Sequence, residues 1–188
     1  GEPIKDTARV LSRYCDALAI RTYEHQEVVD YADWASIPVI NALTDLEHPC
    51  QALADFMTLE QTFGSLKGLN LAYVGDGNNV ANSLMICGAL LGVNTFIACP
   101  KGFEPNPSVV EKARSLAGET SIQISNEPME AVKDVNAIYT DVWASMGQEQ
   151  DQKNRKLAFE GFTVNKRLLR MADSGAIILH CLPAHRGE

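Results

Sequence analysis

Asn70-Leu71-Ala72-Tyr73-Val74-Gly75-Asp76-Gly77-Asn78-Asn79 is the stretch on which the fold turns. An apolar, strand-forming run meets a glycine turn, and a helix pattern follows from about Val80 to Leu91, with Gly92 placed to stop it. The next strand is expected at Asn94–Ala98. Strand, tight turn, helix, strand is the repeating unit of an α/β protein with a parallel sheet.

The same alternation extends outward. Downstream, the pattern predicts a helix over Pro107–Ala117, strands at Ser121–Ser125 and Asn136–Thr140, and a long polar loop through Asp151-Gln152-Lys153-Asn154-Arg155-Lys156. A helix around Asn165–Met171 then leads into a strand at Ala176–Leu179. Upstream, Asp6–Tyr14 reads as a helix, Ala17–Ile20 as a buried strand ending at Arg21, and Pro38–Ala42 as a weaker strand. A helix runs from His48 to about Phe63. Pro49 suits its first position because the missing N–H would be unpaired there anyway. Gly64-Ser65-Leu66-Lys67-Gly68 reads as a break, and the domain boundary is placed near it.

The 188 residues can bury a substantial core, and 46% hydrophobic with 21% charged residues is an ordinary globular composition. A net charge of −8 argues against a nucleic-acid or anionic-membrane partner. No apolar run approaches a membrane span, and the first residues lack a signal-peptide pattern. Five cysteines, at 15, 50, 87, 99 and 181, show no regular spacing, which fits reduced thiols in a cytoplasmic setting.

Four segments carry chemistry. In His48-Pro49-Cys50-Gln51, an imidazole and an amide stand at a helix start, where backbone donors and the dipole favour anions. The plainer reading is that Gln51 caps the helix and His48 is a turn residue. Gly75-Asp76-Gly77-Asn78-Asn79 fails as a dinucleotide fingerprint, because Val80 holds the third glycine position and Ala98-Cys99-Pro100-Lys101 offers no acid for a ribose. Its paired asparagines suit a ligand carboxylate or carbonyl, or simply the turn itself.

Asp141 stands just past a predicted strand, placed for a ligand amine or for a helix cap. Cys181, in His180-Cys181-Leu182-Pro183, is open to three roles: nucleophile, weakly polar wall or filler. Zinc through His180, Cys181 and His185 lacks a further ligand at a familiar spacing. Jointly, three of these segments fall at carboxyl ends of predicted parallel strands, where open α/β sheets bind ligands. The fourth lies across the domain break. Together they outline an interdomain cleft.

From Asp6-Thr7-Ala8-Arg9-Val10-Leu11-Ser12-Arg13 to its end, with HPCQ at 48–51, GDGNN at 75–79, DVWASMGQE at 141–149 and HCLPAHRGE at 180–188, the chain resembles the ornithine carbamoyltransferases. These belong to the aspartate/ornithine carbamoyltransferase superfamily. The resemblance implies two Rossmann-like parallel-sheet domains with a cleft between them. Residues 1–63 would be the second half of the carbamoyl-phosphate domain, and 64–188 the ornithine domain. The family's Ser-x-Arg-Thr-Arg phosphate loop would lie upstream and a substrate-binding Arg downstream, so these residues alone are expected to turn over little.

By the same resemblance, Arg21 and His48 contact the carbonyl oxygen of carbamoyl phosphate, and Gln51 its amino end. Asn79 and Asp141 hold the α-carboxylate and α-amino groups of L-ornithine, and Ser145 and Met146 close over it. Cys181 and Leu182 line the meeting point of the substrates, with Leu182-Pro183 expected in cis. Arg21, His48 and Cys181 form the expected catalytic group. The implied reaction gives citrulline and phosphate, serves arginine biosynthesis, and needs no cofactor or metal. A homotrimer is the expected assembly. Acetylornithine or putrescine as acceptor, a nucleotide-dependent oxidoreductase, and a non-catalytic ornithine-binding remnant are the rival readings.

Overall fold

The computed structural model describes residues 1–144 and 152–186. Its elements run α1 (Ile4–Leu11), β1 (Leu18–Arg21), α2 (His25–Trp34), β2 (Val39–Leu43), α3 (Pro49–Phe63), β3 (Asn70–Val74), α4 (Asn79–Leu91), β4 (Asn94–Ala98), α5 (Pro107–Leu116), β5 (Ile122–Ser125), α6 (Pro128–Ala131), β6 (Ala137–Thr140), α7 (Gln152–Ala158), α8 (Lys166–Leu169) and β7 (Ile177–His180). The chain is α/β, with two wholly parallel sheets.

The larger sheet has the order β5-β4-β3-β6-β7. From the central β3 the chain steps outward to β4 and β5, then returns to the opposite side of β3 for β6 and β7. The direction of winding therefore reverses between β3 and β6, which opens a crevice beyond their carboxyl ends. Leu71 and Tyr73 face the cluster built with α3, α4 and α5, whereas Ala72 and Val74 face one built around Val132, Phe159 and Leu168. A strand covered on both faces must be apolar throughout, and Leu71–Val74 is.

The second sheet pairs β1 with β2, with a register irregularity between Ile20 and Arg21. α3 links the two sheets. Its Ala52, Phe56 and Leu59 are buried in the same cluster as α4, so it packs on the larger sheet although it follows β2 in the chain. Pro49 is at its first position, and Gly64 ends it in the left-handed conformation at φ 78°.

One expectation needs correction. The polar stretch 152–156 lies in helix α7, not in a loop. Its sequence has little apolar periodicity, and what orders it is tertiary: Arg155 reaches Asp76, and Phe159 packs against Trp143, Phe103 and Phe162. Helices α2 and α6 carry no prediction at all. α2 is mostly polar with Val28 as its single buried residue, and α6 has only four residues. No helix among the described residues is long and apolar enough to cross a membrane.

Candidate functional site

Strand register builds the centre of the site. Val74 pairs with Thr140, and Thr140 with His180. One step beyond, the Gly75 turn, Asp141 and Cys181 must lie side by side. The Asn78 amide Nδ2 donates to Asp141 Oδ2 at 2.8 Å, and the Cys181 thiol donates to Asp141 Oδ1 at 2.9 Å. That oxygen also accepts the N–H of Val142 at 2.7 Å. Asp141 is buried, and these bonds hold its carboxyl group in place. Asp141 is not a helix cap.

Asn78 performs the capping that the turn requires. Its Oδ1 accepts from the N–H groups of Val80 and Ala81 at 3.0 and 3.3 Å, and the Tyr73 hydroxyl donates to it at 3.2 Å. The neighbouring Gly77 is glycine for packing reasons. Its N–H donates to Phe103 O at 2.9 Å, and a Cβ there would stand 2.6 Å from that same oxygen and against the Pro105 nitrogen.

The segment 44–48 is stitched to the first turns of α4. Asn79 Nδ2 donates to Thr44 O at 2.6 Å, Asn82 Nδ2 to Leu46 O at 3.0 Å, and the His48 N–H to Ser83 Oγ at 2.7 Å. Positions 79, 82 and 83 share one face of a helix, so a single face of α4 sets the distance between the two sides of the cleft. The second N–H of the Asn79 amide has no partner among the described residues.

The resulting cleft holds about 390 Å³ and is lined by Arg21, His48, Asn79, Asp141, Cys181 and Leu182, together with Tyr23, Asp45, Asp76 and neighbouring residues. Arg21 sits at the register irregularity that ends β1, a geometry that re-aims a side chain. It makes no ion pair or hydrogen bond among the described residues. Burial and the nearby Arg21 charge lower the pKa of His48, against a smaller opposing pull from Asp141. The imidazole is therefore neutral at pH 7, and its Nδ1 is buried without a partner among the described residues.

Gln51 is not in the cleft wall. It does not reach back to cap its helix, and its Nε2 donates to Asp55 Oδ1 at 3.0 Å. Ser145 and Met146 lie outside the described residues. Leu182-Pro183 is cis, with Leu182 86% exposed at the cleft.

For Cys181, burial and the Asp141 charge push the thiol pKa far above its ordinary value. A protonated, hydrogen-bond-donating thiol is a wall of the site and not a nucleophile. Asp141, His180 and Cys181 bring possible metal-ligand atoms within 4.8 Å of one another. His180 Nδ1, however, donates to the Cys181 carbonyl, and His185, the third member of the sequence-based set, is not in that group.

Several participants had escaped the sequence. Asp76 lines the cleft and is paired with Arg155 at 2.7 Å, whose same nitrogen also donates to Trp143 O at 2.8 Å. Ser83 and Thr44 offered no local signal. The Gln51–Asp55 pair did, being four residues apart on a helix.

Residues 67–188 match the family model described as "Aspartate/ornithine carbamoyltransferase, Asp/Orn binding domain", and residues 1–61 the one described as "Aspartate/ornithine carbamoyltransferase, carbamoyl-P binding domain". The chain is 69% identical over its whole length to an ornithine carbamoyltransferase of Prochlorococcus marinus strain SARG, and 58% identical to that of Nostoc sp. PCC 7120. It spans 59% and 62% of those two proteins. Among solved structures, the ornithine carbamoyltransferase from Pyrococcus furiosus superposes with a TM-score of 0.95 at 53% identity, and the one from Gloeobacter violaceus with 0.90 at 50%. All of this chain is covered in both cases, against 61% and 64% of theirs.

Proposed function

This chain belongs to the aspartate/ornithine carbamoyltransferase family, and on that premise we propose that it transfers the carbamoyl group of carbamoyl phosphate to the δ-amine of L-ornithine, giving L-citrulline and phosphate. The observation that carries this reading is the opposition, across one cleft, of Arg21 and His48 to a fixed, buried Asp141. One wall offers a cation and a neutral imidazole to a polarised carbonyl. The other offers an anion to an ammonium group.

Asp141 holds the α-ammonium of ornithine and the free N–H of Asn79 its α-carboxylate, which directs the δ-amine toward His48. The neutral amine attacks the carbamoyl carbon. Arg21 and His48 stabilise the oxyanion that develops. The C–O bond to phosphate then breaks with its electron pair on the phosphate, and the attacking amine sheds its proton. Cys181 and Leu182 shape the wall where the substrates meet, and alignment of the two supplies much of the rate.

Gln51 is assigned the carbamoyl amino group, and Ser145 and Met146 the acceptor side. We divide the chain into 1–63 on the carbamoyl-phosphate side and 64–188 on the ornithine side, with α3 shared between their packing. A cytoplasmic homotrimer acting in arginine biosynthesis completes the proposal.

Citrulline formation by the enzyme expressed in full, with ornithine, acetylornithine and putrescine in competition, tests it. Ornithine should be strongly preferred, and Asp141→Asn should raise its KM at least tenfold. A preference for putrescine, which has no α-ammonium or α-carboxylate, would overturn the assignment of Asp141.

A further inference from the structure

Asp55 is a buried acid that the reaction as proposed leaves unused. It lies on α3, only 6% exposed, on the face turned toward the larger sheet. Its Oδ1 accepts the Gln51 amide at 3.0 Å. Its Oδ2 and the hydroxyl of Tyr139 on β6 are both buried without a hydrogen-bond partner among the described residues. The two groups are nonetheless near enough for each to affect the other's ionisation.

Packing does not explain this residue. A buried carboxylate with one unmatched oxygen is costly, and an apolar side chain of similar volume would fill the space at less cost. What the carboxylate supplies is polarity. When ionised it accepts hydrogen bonds and donates none, so the Gln51 amide can meet it only with its NH₂ end. That fixes the amide's orientation and leaves Oε1, an acceptor, as the atom free to face a ligand. A carbamoyl amino group presents donors alone and needs such an acceptor.

We infer that Asp55 is a positioning residue for the carbamoyl half of the site, locking the Gln51 amide so that its carbonyl oxygen is offered to the substrate's amino group. The inference rests on the assignment of Gln51 made above. It also accounts for an acid on α3 one turn beyond Gln51, where the helix surface brings residues four apart together.

The test is steady-state kinetics on the enzyme expressed in full, comparing Asp55→Asn, Asp55→Leu and Gln51→Ala with the corresponding double variants. Asp55→Asn is nearly isosteric but presents a donor as readily as an acceptor. Asp55→Leu keeps the volume and removes the acceptor. Each is expected to raise the KM for carbamoyl phosphate about three- to tenfold, the worth of one oriented hydrogen bond, while the KM for ornithine stays within about twofold. In the Gln51→Ala background neither should have a further effect. If Gln51→Ala raises that KM and both Asp55 variants leave it unchanged, the inference fails and the Gln51 assignment stands. If the Asp55 effects persist undiminished without Gln51, the inference also fails, since Asp55 then acts by another route. If Gln51→Ala itself leaves the KM unchanged, the assignment of Gln51 fails and takes the inference with it.

Discussion

Two parallel strand pairs of this chain deliver residues to the same cleft in different ways. β1 and β2 are short and open, with β1 residues alternating between half-buried and exposed and Ile40 46% exposed. β3 and β6 are covered on both faces, and Leu71–Val74 are at most 1% exposed. Each pair carries a site residue at its carboxyl end. The residue on the covered pair, Asp141, is held by three donors, whereas Arg21 on the open pair has no partner among the described residues. Asp141 is therefore fixed by bonds within this chain, among the described residues.

Substitutions on the covered side should cost most, and Arg155→Met should cost the most of all. It strips Asp76 of its 2.7 Å partner while the carboxylate stays buried, a loss of about 3–5 kcal/mol in urea unfolding. A loss below about 1 kcal/mol would mean that Asp76 escapes to solvent, and that the contrast between the two regions is overstated.

Asp55→Asn is next, with the opposite sign. Burial raises the Asp55 carboxyl from 3.8 to about 6. The folded state thus holds this proton more tightly than the unfolded state, and stability falls as pH rises from about 4 to about 6. Removing the charge should stabilise the protein at pH 7 by up to about 3 kcal/mol. The advantage should shrink toward zero as pH approaches 4. Thermal unfolding across that range measures it, and an advantage independent of pH would show that α3 is not packed on the larger sheet as described.

Gly77→Ala should destabilise by about 1–3 kcal/mol, because its new Cβ meets the backbone of residues 103–105 and not a movable side chain. The smallest effect is expected in the open region. Tyr14, 82% exposed beyond α1, should tolerate alanine within about 0.5 kcal/mol. A larger loss on melting would show that the open region carries packing that its exposure conceals.

Much of the larger sheet was legible from residue order. Asn70–Val74 and Asn94–Ala98 form strands with the predicted bounds, because short, largely apolar runs with glycines close by read as strands of a covered sheet. Gly92 ends α4 in the left-handed conformation, at φ 78°. α7 was misread because the forces that order it come from Asp76 and an aromatic cluster distant in sequence. The residue types of the site were equally readable, as motifs at strand ends.

Their partnerships were not. Asn78 rather than Asn79 holds Asp141, Ser83 receives the His48 N–H, and Arg155 reaches Asp76. Local sequence determined where strands, turns and helix starts fall, since periodicity, glycine conformation and proline placement act over a few residues. Only the tertiary structure decided which polar groups pair, because strand register and helix docking bring together atoms that are 35 to 79 residues apart.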